Sequence, residues 1–434
     1  VKKNHSKYQV SHIFNSIINN QKVKKINVVH IPRRFTQSHW GGTENVIVSY
    51  AQGLKKHNIH SEIYTTKILN TKKTEYIHGI KVNRFSYFYP YINLKNKIKE
   101  KLDFVGGNVF SFTLLFSLLF KKNIDLIHLH TAKRIGGIAR FICKIRKIPY
   151  LISIHGGIYN RPEHKDINGP LSSNTCFEWG KVLGFLVGSR KVLNDSNGII
   201  CLNQDEYTIM RQKIQNNNIL LIPNSVNIST FSKPKNNNLR DKYNISKDMF
   251  VCLVSGRIDR QKNQLLLLKV LNNIKYEHKN IHILLVGNIT DNEYYYEIKE
   301  YIQSNSLDNY VNIVSNIKPE SKELVDIYLN SDILVLPSVH EPFGIVVLEA
   351  WASSLPVIVS QTAGICNIIK DHEDALIFKN NSVKSLQQKL LTLIQDKKLQ
   401  SLLIQNSQKT VSQFDSAIVN SKINLLYRQL LNQY

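Results

Sequence analysis

None of the five cysteines, Cys143, Cys176, Cys201, Cys252 and Cys366, forms a C-x-x-C pair. An odd number of widely spaced thiols argues against a disulfide scaffold or a zinc ribbon and fits a reducing compartment with buried thiols. Neither G-x-G-x-x-G nor G-x-x-x-x-G-K-[ST] occurs, so a dinucleotide fingerprint and a P-loop are unsupported. RNA-recognition signatures, zinc spacings and solenoid repeats are also missing. Residues 1–25 are basic but lack an apolar core followed by small residues, which speaks against a secretory signal and for the cytoplasm. One segment could challenge that, residues 104–120, "FVGGNVFSFTLLFSLLF", which are uncharged but stop short of the roughly 18 apolar residues of a membrane span. A helix buried against a sheet is expected there.

What the chain does have is positive charge: 57 Lys and Arg stand against 32 Asp and Glu, a formal +25. Such an excess suits an anionic partner, whether nucleic acid, anionic lipid or a phosphorylated ligand. Lysine and asparagine are spread throughout, however, so a diffuse solvated surface explains the charge equally well. The stretch "YINLKNKIKEK" interleaves Lys95, Lys97, Lys99 and Lys101 with Ile92, Leu94 and Ile98. It reads either as an exposed helix end or as a segment resting on an anionic membrane.

A length of 434 residues exceeds what one core usually supports and implies two domains of roughly 200 residues. The apolar runs "KINVVHIP", "IDLIHLH", "PYLISIH" and "GIICL" read as strands buried on both faces, alternating with helical stretches. "LIPNSVN" interrupts, and a second cycle follows with "MFVCLVSG", "IHILLVG", "YVNIVS", "DILVLPS", "LPVIVS" and "ALIF". Helices are predicted near 264–274, 293–304, 321–330 and 345–352. The fold class is therefore α/β, with two Rossmann-like doubly wound domains facing across a cleft. The boundaries fall at 25–222 and 223–408, after an extension over 1–24. A closing helix within 409–434 has no strand partner and is expected to pack back across the junction.

In doubly wound sheets, ligands sit beyond the carboxyl ends of strands. Arg257 and Lys262 follow "MFVCLVSG" there, a cation pair suited to a diphosphate. Gly41 and Gly42 lie between the first strand and first helix, where backbone can approach a phosphate; a plain tight turn remains the alternative. His155 ends a third strand ahead of Gly156 and Gly157, placed to bond a substrate hydroxyl. His128 and His130 share a strand face without an obvious third metal ligand, so they read as structural or cleft-lining. Glu341 precedes a Pro-Phe-Gly turn, and Glu349 lies two turns into the following helix. Gly344 leaves that helix's N-terminus open to an anion.

Together, Gly41-Gly42-Thr43-Glu44, His155-Gly156-Gly157, Pro223-Asn224-Ser225-Val226, Gly256-Arg257 with Lys262, and Glu341-Pro342-Phe343-Gly344 through Glu349 resemble the family-four retaining glycosyltransferases of the GT-B fold. The likeness implies sugar transfer from a nucleotide-sugar donor, with retention and no obligatory metal. The absence of any D-x-D agrees with that. It further implies that Glu341 and His155 serve the donor sugar, Glu349 the ribose, and Arg257 and Lys262 the diphosphate, with Gly42, Phe343 and Gly344 lining the nucleotide side. A glycan or polyprenyl-diphosphate-linked acceptor in bacterial surface polysaccharide synthesis is the implied setting, with a possible anionic membrane surface and no nucleic acid. The chain departs from the family at "TAGICN", where Ala363 and Asn367 stand in place of a glycine and an acidic residue. It also carries a long insertion after Tyr159, in which Gly180, Gly184 and Gly188 recur every four residues. A nucleotide-sugar epimerase of the same architecture would need an acid/base set that "EPFGIVVLE" does not offer, and a basic nucleic-acid binder would need clustered cations with interleaved aromatics.

Overall fold

The computed structural model describes residues 24–156, 177–216, 218–233, 238–318 and 321–433. Two open sheets organise them. The first contains β1 (Ile26–Ile31), β2 (Ile59–Thr66), β3 (Thr74–Ile77), β4 (Ile80–Phe85), β6 (Leu126–Leu129), β7 (Tyr150–Ser153), β9 (Gly198–Cys201) and β10 (Ile219–Leu221) in the order β10-β9-β7-β6-β1-β2-β4-β3. All neighbours are parallel except the β3–β4 pair. The two-residue strands β5 (Tyr91–Ile92) and β8 (Phe177–Glu178) form a separate ribbon. The second sheet, β11 (Phe250–Ser255), β12 (Ile281–Val286), β13 (Val311–Val314), β14 (Ile333–Leu336), β15 (Val357–Ser360) and β16 (Leu376–Phe378), is wholly parallel in the order β13-β12-β11-β14-β15-β16.

In both sheets the chain starts in the middle and winds outward in both directions. The first sheet thus has a switch point between β1 and β6, the second between β11 and β14. Crevices open at such points because successive crossovers leave on opposite faces. β6, β7 and β9 are buried along their whole length, which is why they read as unbroken apolar runs. β4 alternates buried and half-buried residues, and β2 carries His60, Ser61 and Glu62. These two strands, near the sheet's edge, were not evident from the sequence because they bury only part of their surface.

Helices cover both faces: α1 (Gly42–Gly53), α2 (Asn96–Val105), α3 (Phe112–Phe120), α4 (Lys133–Arg146), α5 (Gly180–Leu186) and α6 (Gln204–Lys213) in the first half. The expected single buried helix over 104–120 is instead two helices with a break. Gly106 caps α2 at φ +123, and the Ser111 hydroxyl accepts from the Leu114 N–H at 3.1 Å to start α3. Within α3 only Leu114 and Leu118 are buried, leaving Phe112, Phe116 and Phe120 exposed. Cys143, Cys201 and Cys252 are buried free thiols, and Cys366 is half-buried. Cys176 and Gly157 lie outside the described residues, as does the first half of the long insertion. Among the described residues no helix is long and apolar enough to cross a membrane.

The C-terminal helix, Ser416–Asn432, returns to the first sheet. Val419, Ile423, Leu426, Tyr427 and Leu430 share a core with Val46 and Tyr50 of α1 and with Ile26 and Val28 of β1. Its approach is tied to the outgoing linker, since the Val226 N–H donates to the Phe414 carbonyl at 3.0 Å and the Ser416 N–H to the Val226 carbonyl at 2.9 Å. The chain therefore crosses between the sheets twice, side by side.

Candidate active site

The switch points of the two sheets face one another through the turn that follows β14. Gly156 (φ +90), just past β7, lies so near this turn that a Cβ there would sit 2.3 Å from the Pro342 ring. Only glycine permits that approach. The Asn203 amide donates to the Pro342 carbonyl at 2.7 Å, and Asn367 donates to Asp205 at 3.1 Å. A Cβ on Gly42 would meet Ile345 at 3.6 Å. The N-terminus of α1 thus faces that of the helix Ile345–Ala352, whose N-cap is Gly344.

On the second-sheet side Glu341 and Lys262 form a direct ion pair, with side chains only 13% and 12% exposed. A Cβ on Gly256 (φ +147) would come within 3.2 Å of Lys262 Cε, so this glycine makes room for the lysine stem. Arg257, about one-third exposed, lies 3.2 Å from Asp259. Gln261 links the two loops, donating to the His340 carbonyl at 2.8 Å while its own carbonyl accepts from the Val339 N–H at 2.9 Å. The Glu341 turn is held from the other side by the Gly364 N–H, which donates to the Glu341 carbonyl at 2.8 Å. This loop contains the "TAGICN" departure, so the exchange of residue types leaves its backbone engaged with the turn.

Glu349 is buried, and its carboxylate accepts from the Tyr328 hydroxyl at 2.6 Å. Burial beside this carboxylate pushes the Tyr328 hydroxyl far above its usual range. The Phe343 ring is packed in the core of the second sheet, so only backbone at this position can meet a ligand.

The first-sheet side adds groups that motif reading missed. Burial lowers the pKa of Arg34 and His39, in the loop after β1, and the positive charge of Arg257 lowers both further, while Glu44 acts against the shift at Arg34. The buried Glu44 carboxylate, raised by burial, accepts from the Gly41 N–H at 3.1 Å. Nothing in the sequence places Arg34 opposite Arg257; only the meeting of the sheets does. Glu206 of α6 accepts from the Leu202 N–H at 3.2 Å and also from Gly156, and burial lifts its carboxyl to about 7. It fixes the loop that carries His155.

His155 sits on that loop, half-buried, with its pKa lowered to about 4 by burial. Behind it His30, His128 and His130 bring ring nitrogens within 4.8 Å of one another, the third histidine being invisible to strand spacing. All six nitrogens of these three rings are already bonded. His30 and His130 bond each other at 3.0 Å, then Ser61 at 3.2 Å and His155 at 2.8 Å respectively. His128 bonds Tyr427 at 2.6 Å and Ser153 at 2.7 Å. A metal ion would have to displace these bonds, so the cluster is a hydrogen-bonded network rather than an open donor set.

Two family models tile the chain: Glycosyltransferase Family 4 over residues 40–230 and Glycosyl transferases group 1 over 235–410. The chain is a glycosyltransferase that carries both domains. Among its relatives is the UDP-Gal:alpha-D-GlcNAc-diphosphoundecaprenol alpha-1,3-galactosyltransferase of Escherichia coli, 25% identical over 72% of this chain and 77% of that protein. Another is the alpha-monoglucosyldiacylglycerol synthase of Acholeplasma laidlawii, 21% identical over 72% and 77%. Its fold is shared with a sucrose-phosphate synthase from Thermosynechococcus elongatus, with a TM-score of 0.72 at 20% identity, covering 94% of this chain and all of that one. Anabaena HepE, solved in complex with UDP-glucose, gives a TM-score of 0.71 at 17% identity, with 93% and 100% covered.

The buried histidines of this glycosyl transferase set its acid response. His30, lowered to about 3, His155, to about 4, and His128 and His130, well below 6.5, stay neutral when folded and take up protons when unfolded. Their stabilisation is complete above pH 6.5 and is lost as pH falls from there. Glu206 and Glu44, with raised pKa, act in the opposite sense but are fewer. Stability should therefore fall between pH 6.5 and 5, by roughly 1.4 kcal/mol per pH unit for each unmatched proton. Urea unfolding at pH 7 and at pH 5 measures this, and an unchanged midpoint contradicts it.

Proposed function

We propose that this enzyme is a retaining transferase that moves a sugar from a nucleotide-sugar donor to a glycan or polyprenyl-diphosphate-linked acceptor in bacterial surface polysaccharide synthesis. The observation that carries the reading is the Lys262–Glu341 pair beside Arg257, at the second sheet's switch point and across from Arg34 and His155. Three cations, Arg257, Lys262 and Arg34, converge there, with Asp259, Glu341 and Glu44 as their counter-charges, and such a cluster suits a diphosphate. Glu341 lies against Lys262, so sugar and phosphate groups of one donor would be held side by side. Relatives named for a UDP-galactose donor and a diphosphoundecaprenol acceptor, and for capsular polysaccharide biosynthesis in Staphylococcus aureus, support the setting.

In this reading Arg257, Lys262 and Arg34 stabilise the nucleotide diphosphate as the glycosidic bond breaks, supplying the charge that a divalent ion supplies elsewhere. Glu341 and His155 are the catalytic residues and hold the donor sugar while the acceptor hydroxyl attacks the face the diphosphate leaves. Glu349 receives the ribose hydroxyls. Gly42, Phe343 and Gly344 offer backbone at the two facing helix N-termini.

A thermal-shift screen against UDP, GDP, ADP and their sugar conjugates, with EDTA present, tests the donor site. One nucleotide should raise Tm without metal, by mass action. A protein shifted only when divalent metal is added would overturn the metal-free mechanism. The two glutamates should separate in their effects. Glu341→Ala should lower kcat roughly 100-fold with nucleotide affinity within about threefold, on the scale of a lost transition-state contact. Glu349→Gln, which keeps the bond to Tyr328, should weaken nucleotide binding about tenfold, as expected for one charge-assisted bond. Equal loss of affinity in both would contradict the division of roles.

A second reading concerns where the enzyme works. The packing of α3, α4 and α5 leaves an aromatic and aliphatic face in water: Phe116, Phe120 (74% exposed), Ile145, Val182, Phe185 (84%) and Leu186. Phe112 and Trp179 both stack on Phe88, which makes the α3 and α5 portions continuous. Lys121, Lys122 and Lys181 lie in the same segments. On α2, by contrast, Ile98 packs inward and the lysines face solvent, which contributes charge without an apolar face. We propose that the α3–α5 face rests on the anionic inner leaflet, keeping a lipid-linked acceptor near the cleft. Flotation with anionic liposomes at low salt should carry the protein upward, and Phe116→Asp with Phe185→Asp should leave it at the bottom. Flotation unaffected by both changes would mean that another surface binds.

A further inference from the structure

The histidine behind the cleft belongs to a row. His155 Nε2 lies 2.8 Å from His130 Nδ1, His130 Nε2 lies 3.0 Å from His30 Nδ1, and His30 Nε2 lies 3.2 Å from Ser61 Oγ. The four residues come from β7, β6, β1 and β2 or the positions just past them, which are adjacent in the sheet. The row therefore runs across the strands, from the loop that meets the Pro342 turn to the half-buried Ser61. Successive imidazoles are stacked 5.1 and 5.3 Å apart at 25°. His128 stands beside the row with its nitrogens committed to Tyr427 and Ser153.

A neutral imidazole carries one N–H and one lone pair. Burial keeps His30, His130 and His155 neutral. Because His30 and His130 use both nitrogens within the row, reversing one bond reverses every other. Two consistent arrangements remain. In the first, His155 Nε2–H donates to His130, His130 Nε2–H to His30 and His30 Nε2–H to the Ser61 oxygen, so that His155 Nδ1 presents a lone pair. In the second, the Ser61 hydroxyl donates and every ring carries its proton on Nδ1, so that His155 Nδ1 presents an N–H. That nitrogen takes no hydrogen bond among the described residues. A hydroxyl is a terminus that can serve either sense.

We propose that Ser61, His30 and His130 are positioning residues that fix the tautomer and ring orientation of His155, deciding from across the sheet which hydrogen-bonding face the donor sugar meets. None of the three needs to touch a ligand. The inference rests on the reading of the cleft as a donor site, because it is there that the face of His155 matters.

The test has a spectroscopic arm that needs no substrate. Two-bond 1H–15N spectra of protein labelled at the imidazole nitrogens should show His155, His130 and His30 all in one tautomer, all Nε2–H or all Nδ1–H. In the kinetic arm, His30→Phe should lower kcat about tenfold while the Kd for the nucleotide-sugar stays within about twofold, with Ser61→Ala a milder change in the same direction. Ser61→Ala, at the half-buried end, keeps the kinetic arm decisive should His30→Phe fail to fold. Mixed tautomers along the row overturn the relay, as does an unchanged kcat in the folded variants. A uniform row in a protein that binds no nucleotide-sugar would instead overturn the reading of the cleft, so the two failures are distinguishable.

Discussion

The turn from Glu341 to Gly344 is the constraint on which the molecule's chemistry depends, because it is the place where both sheets are in contact. Its proline packs against Gly156 and its carbonyl accepts from Asn203, both from the first half. Its glutamate pairs with Lys262, and its backbone is held by Gly364. A residue here thus reports on both halves. Moving the turn by an ångström would displace a carboxylate from a lysine and a proline from a histidine-bearing loop together. The paired connections at Val226 and Phe414 and the returning C-terminal helix hold the halves in register around this point.

Electrostatics explains why the site is poised rather than inert. Lys262 and Glu341 are nearly buried, so each needs the other in the absence of ligand. An incoming anion can share the lysine while a hydroxyl engages the carboxylate, and neither charge is then left alone. Arg257 is paired with Asp259 at 3.2 Å, and Arg34 is attracted by Glu44. The two arginines repel one another across the cleft, which favours any ligand whose negative charge lies between them.

The parts legible in the sequence are those where one strand or one helix carries the signal. β11, β12, β14 and β15 are almost wholly apolar because both faces are covered, and the helix Ile345–Ala352 is flanked by a turn whose residues are unambiguous. Glu341, Glu349, Arg257 and Lys262 could be named because they stand just past such strands or within the helix that follows. What was not legible depends on residues far apart in the chain. Arg34 meets the field of Arg257, and His30 completes a cluster with His128 and His130, only after the sheets are assembled. β2 and β4 were missed for a related reason, since their pattern is diluted by polar residues near a sheet edge. The residues 104–120 read as one helix because apolar length outweighed the Gly106–Gly107 pair, although the backbone turns at Gly106.

That break also joins the two ends of the first half. Arg33 donates to the carbonyls of Leu102, Asp103 and Gly107 at 2.8, 3.1 and 2.9 Å, and Arg34 reaches the Phe104 carbonyl at 3.0 Å. The Leu102, Asp103 and Phe104 carbonyls belong to the last turn of α2, where a cationic side chain suits the helix end, and Leu102 accepts from the Gly106 and Gly107 N–H groups as well. The same loop therefore closes off α2 and presents Arg34 to the cleft. α3, which carries the exposed phenylalanines, begins six residues after the glycine that ends α2. Surface and site thus share one short, arginine-stapled connection. A displacement of the α2–α3 break would be felt at Arg34 before it reached either sheet, since the strands are buried on both faces and the loop is not.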